Sequence, residues 1–138
     1  MSLRIGFNSK YFEEWQRGSL CEWLDFKVDE ITQGRLEGRV FVRPDMLSPN
    51  GFMHGGSVVS IADTAAGFGA LAHLPEGSKN FTTIELKTNF LSTTQGGWVF
   101  ATAKAYHLGK KTQVWDVDVF NQDKKLMALF RCTQMILW

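Results

Sequence analysis

A dominant charge of one sign is missing from this chain. Its 15 lysines and arginines stand against 14 aspartates and glutamates, a formal net charge of +1 over 138 residues. Proteins that hold nucleic acid carry a basic excess or a basic stripe. The longest basic clusters here are only Lys110-Lys111 and Lys124-Lys125, so no nucleic-acid partner is expected. Cysteine is scarce as well: Cys21 and Cys132 lie far apart with no CxxC spacing, which favours a reduced, cytoplasmic setting over a disulfide framework. No run approaches the roughly 20 apolar residues of a membrane helix, and Ser2 to Lys10 is too polar for a signal peptide. The three histidines are scattered without metal-ligand spacing, so no metal is expected. No GxSxG or phosphate-loop pattern occurs, which disfavours a serine hydrolase or an ATP-using enzyme. Proline is confined to Pro44, Pro49 and Pro75, each at a break between patterned segments. With no linker, repeat or low-complexity tract, residues 1–138 read as one domain.

What the chain does have is apolar and aromatic: 44% hydrophobic residues and 13% aromatic, enough for a core without disulfides. Asn8 to Gly18 predicts a short amphipathic helix, with Asn8 as the cap and Tyr11, Phe12 and Trp15 on one face. Residues 1–19 thus read as a helical N-terminal extension. Leu24 to Ile31 and Arg35 to Val42 read as strands around a Gln33-Gly34 turn. Gly55 to His73 (GGSVVSIADTAAGFGALAH) predicts a long helix that is apolar around nearly its whole circumference. Such a helix needs cover on every side, and Asp63 at its centre argues that the cover is protein. The second half predicts four strands, Phe81–Leu91, Trp98–His107, Lys111–Asn121 and Leu126–Leu137, separated by hairpin turns. In the third, Trp115, Val117 and Val119 alternate with Asp116 and Asp118. The fourth is apolar on both parities, which predicts cover on both faces. The expected architecture is α+β, an antiparallel sheet of about six strands wrapped around the central helix.

The chemistry-bearing segment is Ser48-Pro49-Asn50-Gly51-Phe52-Met53-His54-Gly55-Gly56, followed by Asp63. His54-Gly55-Gly56 stands where the long helix begins. Helix-start N–H groups lack internal partners, and glycine lets a ligand approach the backbone closely. This makes a donor site for a carbonyl oxygen becoming an oxyanion. Asp63 lies among apolar neighbours, where an unpaired carboxylate is costly and its pKa rises, which suits a general base or a nucleophile. The competing reading pairs Asp63 with Arg43 or Arg131. Asp63 follows Gly55 by eight residues, about 12 Å along a helix. One chain's Asp63 therefore cannot act on a carbonyl held at its own Gly55. If the two cooperate, the site is shared by a dimer.

The stretch HGGSVVSIAD, with Gly51 three residues before His54, resembles the signature of hotdog-fold acyl-CoA thioesterases, nearest to the phenylacetate-degradation (PaaI-like) branch. The resemblance continues through FTTIELKTNFL, the Gly96-Gly97 turn, HLGKKTQVWDVDV and Lys124 to Thr133, and so covers about Leu20 to the C-terminus. It implies a hotdog fold and hydrolysis of an acyl-CoA to free acid and coenzyme A. It also implies a homodimer or a dimer of dimers, with no cofactor beyond the substrate's own coenzyme A. By the resemblance, Asp63 is the catalytic carboxylate, acting on water or on the thioester carbonyl itself. Gly55 supplies the polarising amide, His54 helps position the thioester, and Thr83 assists the water. Gly51 and Gly56 belong to the same signature loop. Lys110 and Lys111 lie where the coenzyme A phosphates are often met, although a solvated hairpin turn is the plainer reading of that pair. Many members of this branch carry Asn six residues before the His. Here Ser48 holds that position, and either Asn50 takes over through a shifted loop or Ser48 supplies a weaker hydrogen bond. Two further readings share the architecture: a non-catalytic acyl-CoA or acyl-carrier binder, and an enoyl-CoA hydratase or dehydratase.

Overall fold

The computed structural model describes residues 1–138. In chain order it contains helices α1 (Ser9–Trp15) and α2 (Leu20–Leu24), strands β1 (Lys27–Thr32) and β2 (Arg35–Phe41), and a 3-10 turn (Pro44–Met46). Helix α3 (Gly55–Ala72) follows, then strands β3 (Asn80–Phe90), β4 (Trp98–Leu108), β5 (Thr112–Phe120) and β6 (Leu126–Leu137). The strands form one antiparallel sheet in the order β1-β2-β4-β5-β6-β3. Helix α3 packs against β2, β4, β5, β6 and β3. This is the expected α+β hotdog architecture, six antiparallel strands about one long helix.

The helix lies close to the sheet because its contact face is made of small residues. A Cβ at Gly69 would sit 2.8 Å from the ring of Trp115, which is fully buried on β5. Only hydrogen at that position lets helix and indole approach so closely. Ile61, Ala62, Ala65, Ala66 and Ala70 complete the buried face.

The N-terminal helices pack against the far half of α3. Asn8 Oδ1 accepts the Tyr11 N–H at 3.0 Å and caps α1. The buried Phe12 stacks on Phe68 of α3 at 4.5 Å. Residues Leu20–Leu24 form a helix, so Leu24, expected as the first residue of a strand, is the last residue of α2 instead. Asp25 takes a left-handed conformation (φ 53) and accommodates the turn from α2 into β1. That break delays the strand to Lys27.

Two expectations about cover need correction within the single chain. Along α3, Gly56 is exposed, and Ser60, Asp63 and Gly67 are only partly buried, so the helix keeps one open stripe. On β6, Leu129, Met135 and Leu137 are exposed on the outward parity, because no layer of the same chain lies over that face. Of the five tryptophans, only Trp115 is in the core.

His73 caps the C-terminal end of α3. It is fully buried. Its Nε2 accepts the Gly34 N–H at 2.9 Å and its Nδ1–H donates to Gly69 O at 2.8 Å. Burial holds its pKa below the ordinary value. The ring is therefore a neutral clamp between α3 and the β1–β2 turn.

Candidate active site

The segment before α3 is folded by backbone bonds into a tight turn. Ser48 N–H donates to Phe52 O at 2.7 Å, and Gly51 N–H donates to Ser48 O at 2.9 Å. Gly51 has φ +86, a conformation that glycine adopts without strain. Asn50 Oδ1 accepts the Phe52 N–H at 3.1 Å, so this side chain secures the turn with its oxygen and keeps its NH2 group available.

The first turn of α3 presents four amides, from Gly55, Gly56, Ser57 and Val58. His54 Nδ1 accepts from Gly56 N–H at 2.7 Å, and His54 O accepts from Ser57 and Val58 at 2.9 and 3.2 Å. The Gly55 N–H is the one left without a partner in the chain. Since Nδ1 of His54 is an acceptor, a neutral ring carries its proton on Nε2 and offers a second donor. Gly55 lines a cavity of about 290 Å³ together with Ser48, Asn50, Phe52 and Phe90. Gly51 and Gly56 are not part of that lining: Gly51 shapes the turn, and the Gly56 amide is held by His54.

Two helical turns further on, Asp63 lines a second cavity of about 350 Å³ with Trp15, Cys21, Phe68, Phe81 and Thr83 among its walls. The two cavities have no residue in common. Asp63 Oδ1 is buried and has no hydrogen-bond partner. Neither arginine considered as its partner serves: Arg43 pairs with Asp45 at 3.6 Å and Arg131 with Asp116 at 2.5 Å. Burial without a counter-charge raises the Asp63 pKa above the usual carboxylate value. Such a group accepts a proton more readily than a solvated aspartate.

Thr83 belongs to this second cavity, and its hydroxyl donates to Gln134 Oε1 at 2.7 Å. Cys132 lies behind, and its thiol is pushed up to about 12 by burial and by the nearby Asp63 charge, which keeps it inert. Lys110 and Lys111 line neither cavity. They sit on the β4–β5 hairpin beside Met135, Ile136 and Trp138, around a space of about 620 Å³, with Lys110 Nζ 5.4 Å from the Trp138 ring centroid. Three or more His, Cys, Asp or Glu side chains converge nowhere in the chain.

The sequence reading passed over Gln134 and Cys21. The signal for Gln134 was available: it shares the parity of Phe130, Cys132 and Ile136, so a polar side chain interrupts a buried apolar row. Cys21 had no such signal, because its position at the cavity depends on α2.

Comparison with known proteins agrees with this fold. The model of the thioesterase superfamily matches residues 50–128, a span that includes the helix start, Asp63 and Thr83. A 1,4-dihydroxy-2-naphthoyl-CoA hydrolase of Listeria monocytogenes is 33% identical over 114 residues, 83% of this chain and 92% of that protein. The acyl-coenzyme A thioesterase PaaI of Escherichia coli is 35% identical over 118 residues, 85% of this chain and 81% of PaaI. Among solved structures, a mutant thioesterase of Pseudomonas aeruginosa superposes with a TM-score of 0.92 at 24% identity, over 98% of this chain and 97% of that one. The structure of PaaI superposes with a TM-score of 0.80 at 25% identity, over 93% of this chain and 91% of that one.

Proposed function

The chain belongs to the thioesterase superfamily, and we propose that it hydrolyses an acyl-coenzyme A thioester at a site shared by two copies. One observation carries the reading. The free helix-start amide and the unpaired carboxylate lie on one helix but line separate cavities. In a two-fold dimer, each copy supplies the amide for one site and the acid for the other.

In this site the Gly55 N–H, aided by His54 Nε2–H, holds the thioester oxygen of a substrate whose acyl group faces the partner's Asp63. Asp63 takes a proton from water as the water oxygen bonds to the acyl carbon. The negative charge moves to the thioester oxygen, where the amide stabilises it. Collapse breaks the C–S bond, and the proton passes from Asp63 to the departing thiolate. Ser48 and Asn50, in the cavity of Gly55, are suited to hold the pantetheine side of the thioester. Lys110 and Lys111 are reserved for the nucleotide phosphates. Trp15, Phe68 and Phe81 wall the Asp63 cavity and suit a compact or aromatic acyl group. The naphthoyl-CoA substrate named for the Listeria relative is of that class.

Beyond the dimer, the exposed Leu129, Met135 and Leu137 on the outer sheet face support pairing of dimers. The unpaired Cys21 and Cys132 fit a reducing, cytoplasmic compartment. We read residues 1–19 as part of a single 138-residue domain, because Phe12 is built into the same core as α3.

The test is thiol release across a panel of short, medium, long and aryl acyl-CoAs. The expected result is turnover that falls by about 100-fold or more in Asp63→Asn. Saturable binding without turnover across the panel would identify a binder instead. Loss of enoyl absorbance with crotonyl-CoA would identify a hydratase.

A further inference from the structure

Three side chains stand in a row across the inner face of the sheet: Thr83 on β3, Gln134 on β6 and Gln113 on β5. The strand registers pair Thr83 with Gln134 and Gln134 with Gln113. Both glutamines are fully buried. A buried primary amide is costly unless its polar atoms are used. Gln113 has a structural use: its Nε2 donates to His73 O at 2.8 Å and its Oε1 accepts the Trp115 indole N–H at 2.9 Å. Gln134 is placed differently. Its Nε2 meets only the weak acceptor Cys132 Sγ, at 3.3 Å. Its strong bond, 2.7 Å, goes from the Thr83 hydroxyl to Oε1, at the wall of the Asp63 cavity.

A hydroxyl has one hydrogen and two lone pairs. Once its hydrogen is given to Gln134, Thr83 can only accept. We propose that Gln134 is a positioning residue for hydrolysis: by holding the Thr83 hydrogen it makes Thr83 Oγ1 a fixed acceptor for the attacking water. The inference rests on the reading that Asp63 and Thr83 share one water. That water gives one hydrogen to Thr83 and the other to Asp63, and its lone pair is left to face the thioester carbon. Neither Thr83 nor Gln134 gains or loses a proton in the step. Without Gln134 the hydroxyl is free to rotate and donate to the Asp63 carboxylate. It would then occupy the base and compete with the water.

The experiment is a double-mutant cycle with steady-state kinetics on the best acyl-CoA of the panel. Gln134→Met removes the acceptor and keeps most of the volume, and Thr83→Val removes the hydroxyl. Each single change is expected to lower kcat by about 10- to 30-fold while KM stays within about twofold, the pattern of a misplaced reacting group. The double variant is expected to be no slower than the worse single one. Wild-type kcat in Gln134→Met beside a slow Thr83→Val overturns the inference and leaves the role of Thr83 standing. Wild-type kcat in Thr83→Val overturns the underlying reading of Thr83 itself. Multiplicative losses in the double variant also overturn the inference, because Gln134 would then act apart from Thr83. Should Gln134→Met fail to fold, Gln134→Asn keeps an amide but is one methylene too short to reach Thr83. It carries the same expectation, and wild-type kcat in that variant overturns the inference.

Discussion

Asp63 and Gly55 are carried by one helix, eight residues apart, yet they line cavities with no residue in common. At about 1.5 Å per residue the separation is about 12 Å along the axis, several times the reach of a single thioester carbonyl. The arrangement therefore predicts complementation between two defective chains. Gly55→Pro deletes the free N–H at a helix position that tolerates proline, after a His54 backbone (φ −65, ψ 135) that proline also tolerates. Asp63→Asn deletes the base. Each variant alone should be nearly inactive. After co-refolding in equal amounts, random pairing restores one intact site in each mixed dimer, about a quarter of wild-type activity. No recovery, with mixed dimers demonstrated, would place the whole site within one chain.

The raised pKa of Asp63 comes from burial, so the base is lost to protonation at a higher pH than a solvated aspartate would be. The acid limb of kcat/KM is expected to lie above the ordinary carboxylate value of about 3.9. A limb at or below that value would remove Asp63 as the titrating base.

The same burial makes the ionised Asp63 a cost to folding. For a carboxyl group whose folded pKa is raised, the stabilising contribution is complete below the unfolded pKa and is lost as pH rises through the folded one. Asn at this position never ionises. Asp63→Asn is therefore expected to melt higher than wild type at neutral pH, by roughly 2–8 °C. The advantage should vanish below about pH 4, which differential scanning calorimetry at two pH values can follow.

His73 predicts a pH effect of opposite sense. Its folded pKa is lowered by burial, so below about pH 6.5 the unfolded chain takes up a proton that the folded one resists. Stability should fall as pH drops below that value, and His73→Gln should flatten this part of the profile. An unchanged slope in the variant would exclude His73 as its source.

Gly69→Ala is expected to destabilise the protein by about 1–3 kcal/mol. The new methyl would press on a fully buried indole, at 2.8 Å from Trp115. Urea unfolding measures the change. A variant as stable as wild type would show that helix and sheet can separate at no cost.

Much of the fold was legible because its elements repeat simple periods. The alternation of Trp115, Val117 and Val119 with Asp116 and Asp118 announced β5. The Ala- and Gly-rich run from Gly55 announced α3 almost to the residue. Helix α2 was not legible. Five residues are too few to show a helical period, and the left-handed Asp25 that separates α2 from β1 has no signature in composition. The outward side chains of β6 looked like core because Leu129, Met135 and Leu137 are apolar. Their exposure follows from what lies over the sheet, and a chain's own pattern does not report that.

The sequence by itself determined the kind of fold, the helix start at His54-Gly55-Gly56 and the isolated acid at Asp63. These are local matters of period, capping and the chemistry of neighbours along the chain. Only the tertiary structure decided that the Gly55 amide is the single free donor of the first turn. It also decided that neither Arg43 nor Arg131 reaches Asp63, and that Gln134 holds the hydroxyl of Thr83. Each of these depends on which strands lie side by side, and the order β1-β2-β4-β5-β6-β3 joins residues as far apart as positions 83 and 134. Hydrogen bonds act over about 3 Å, so no reading along the chain could have found those partners before the sheet brought them together.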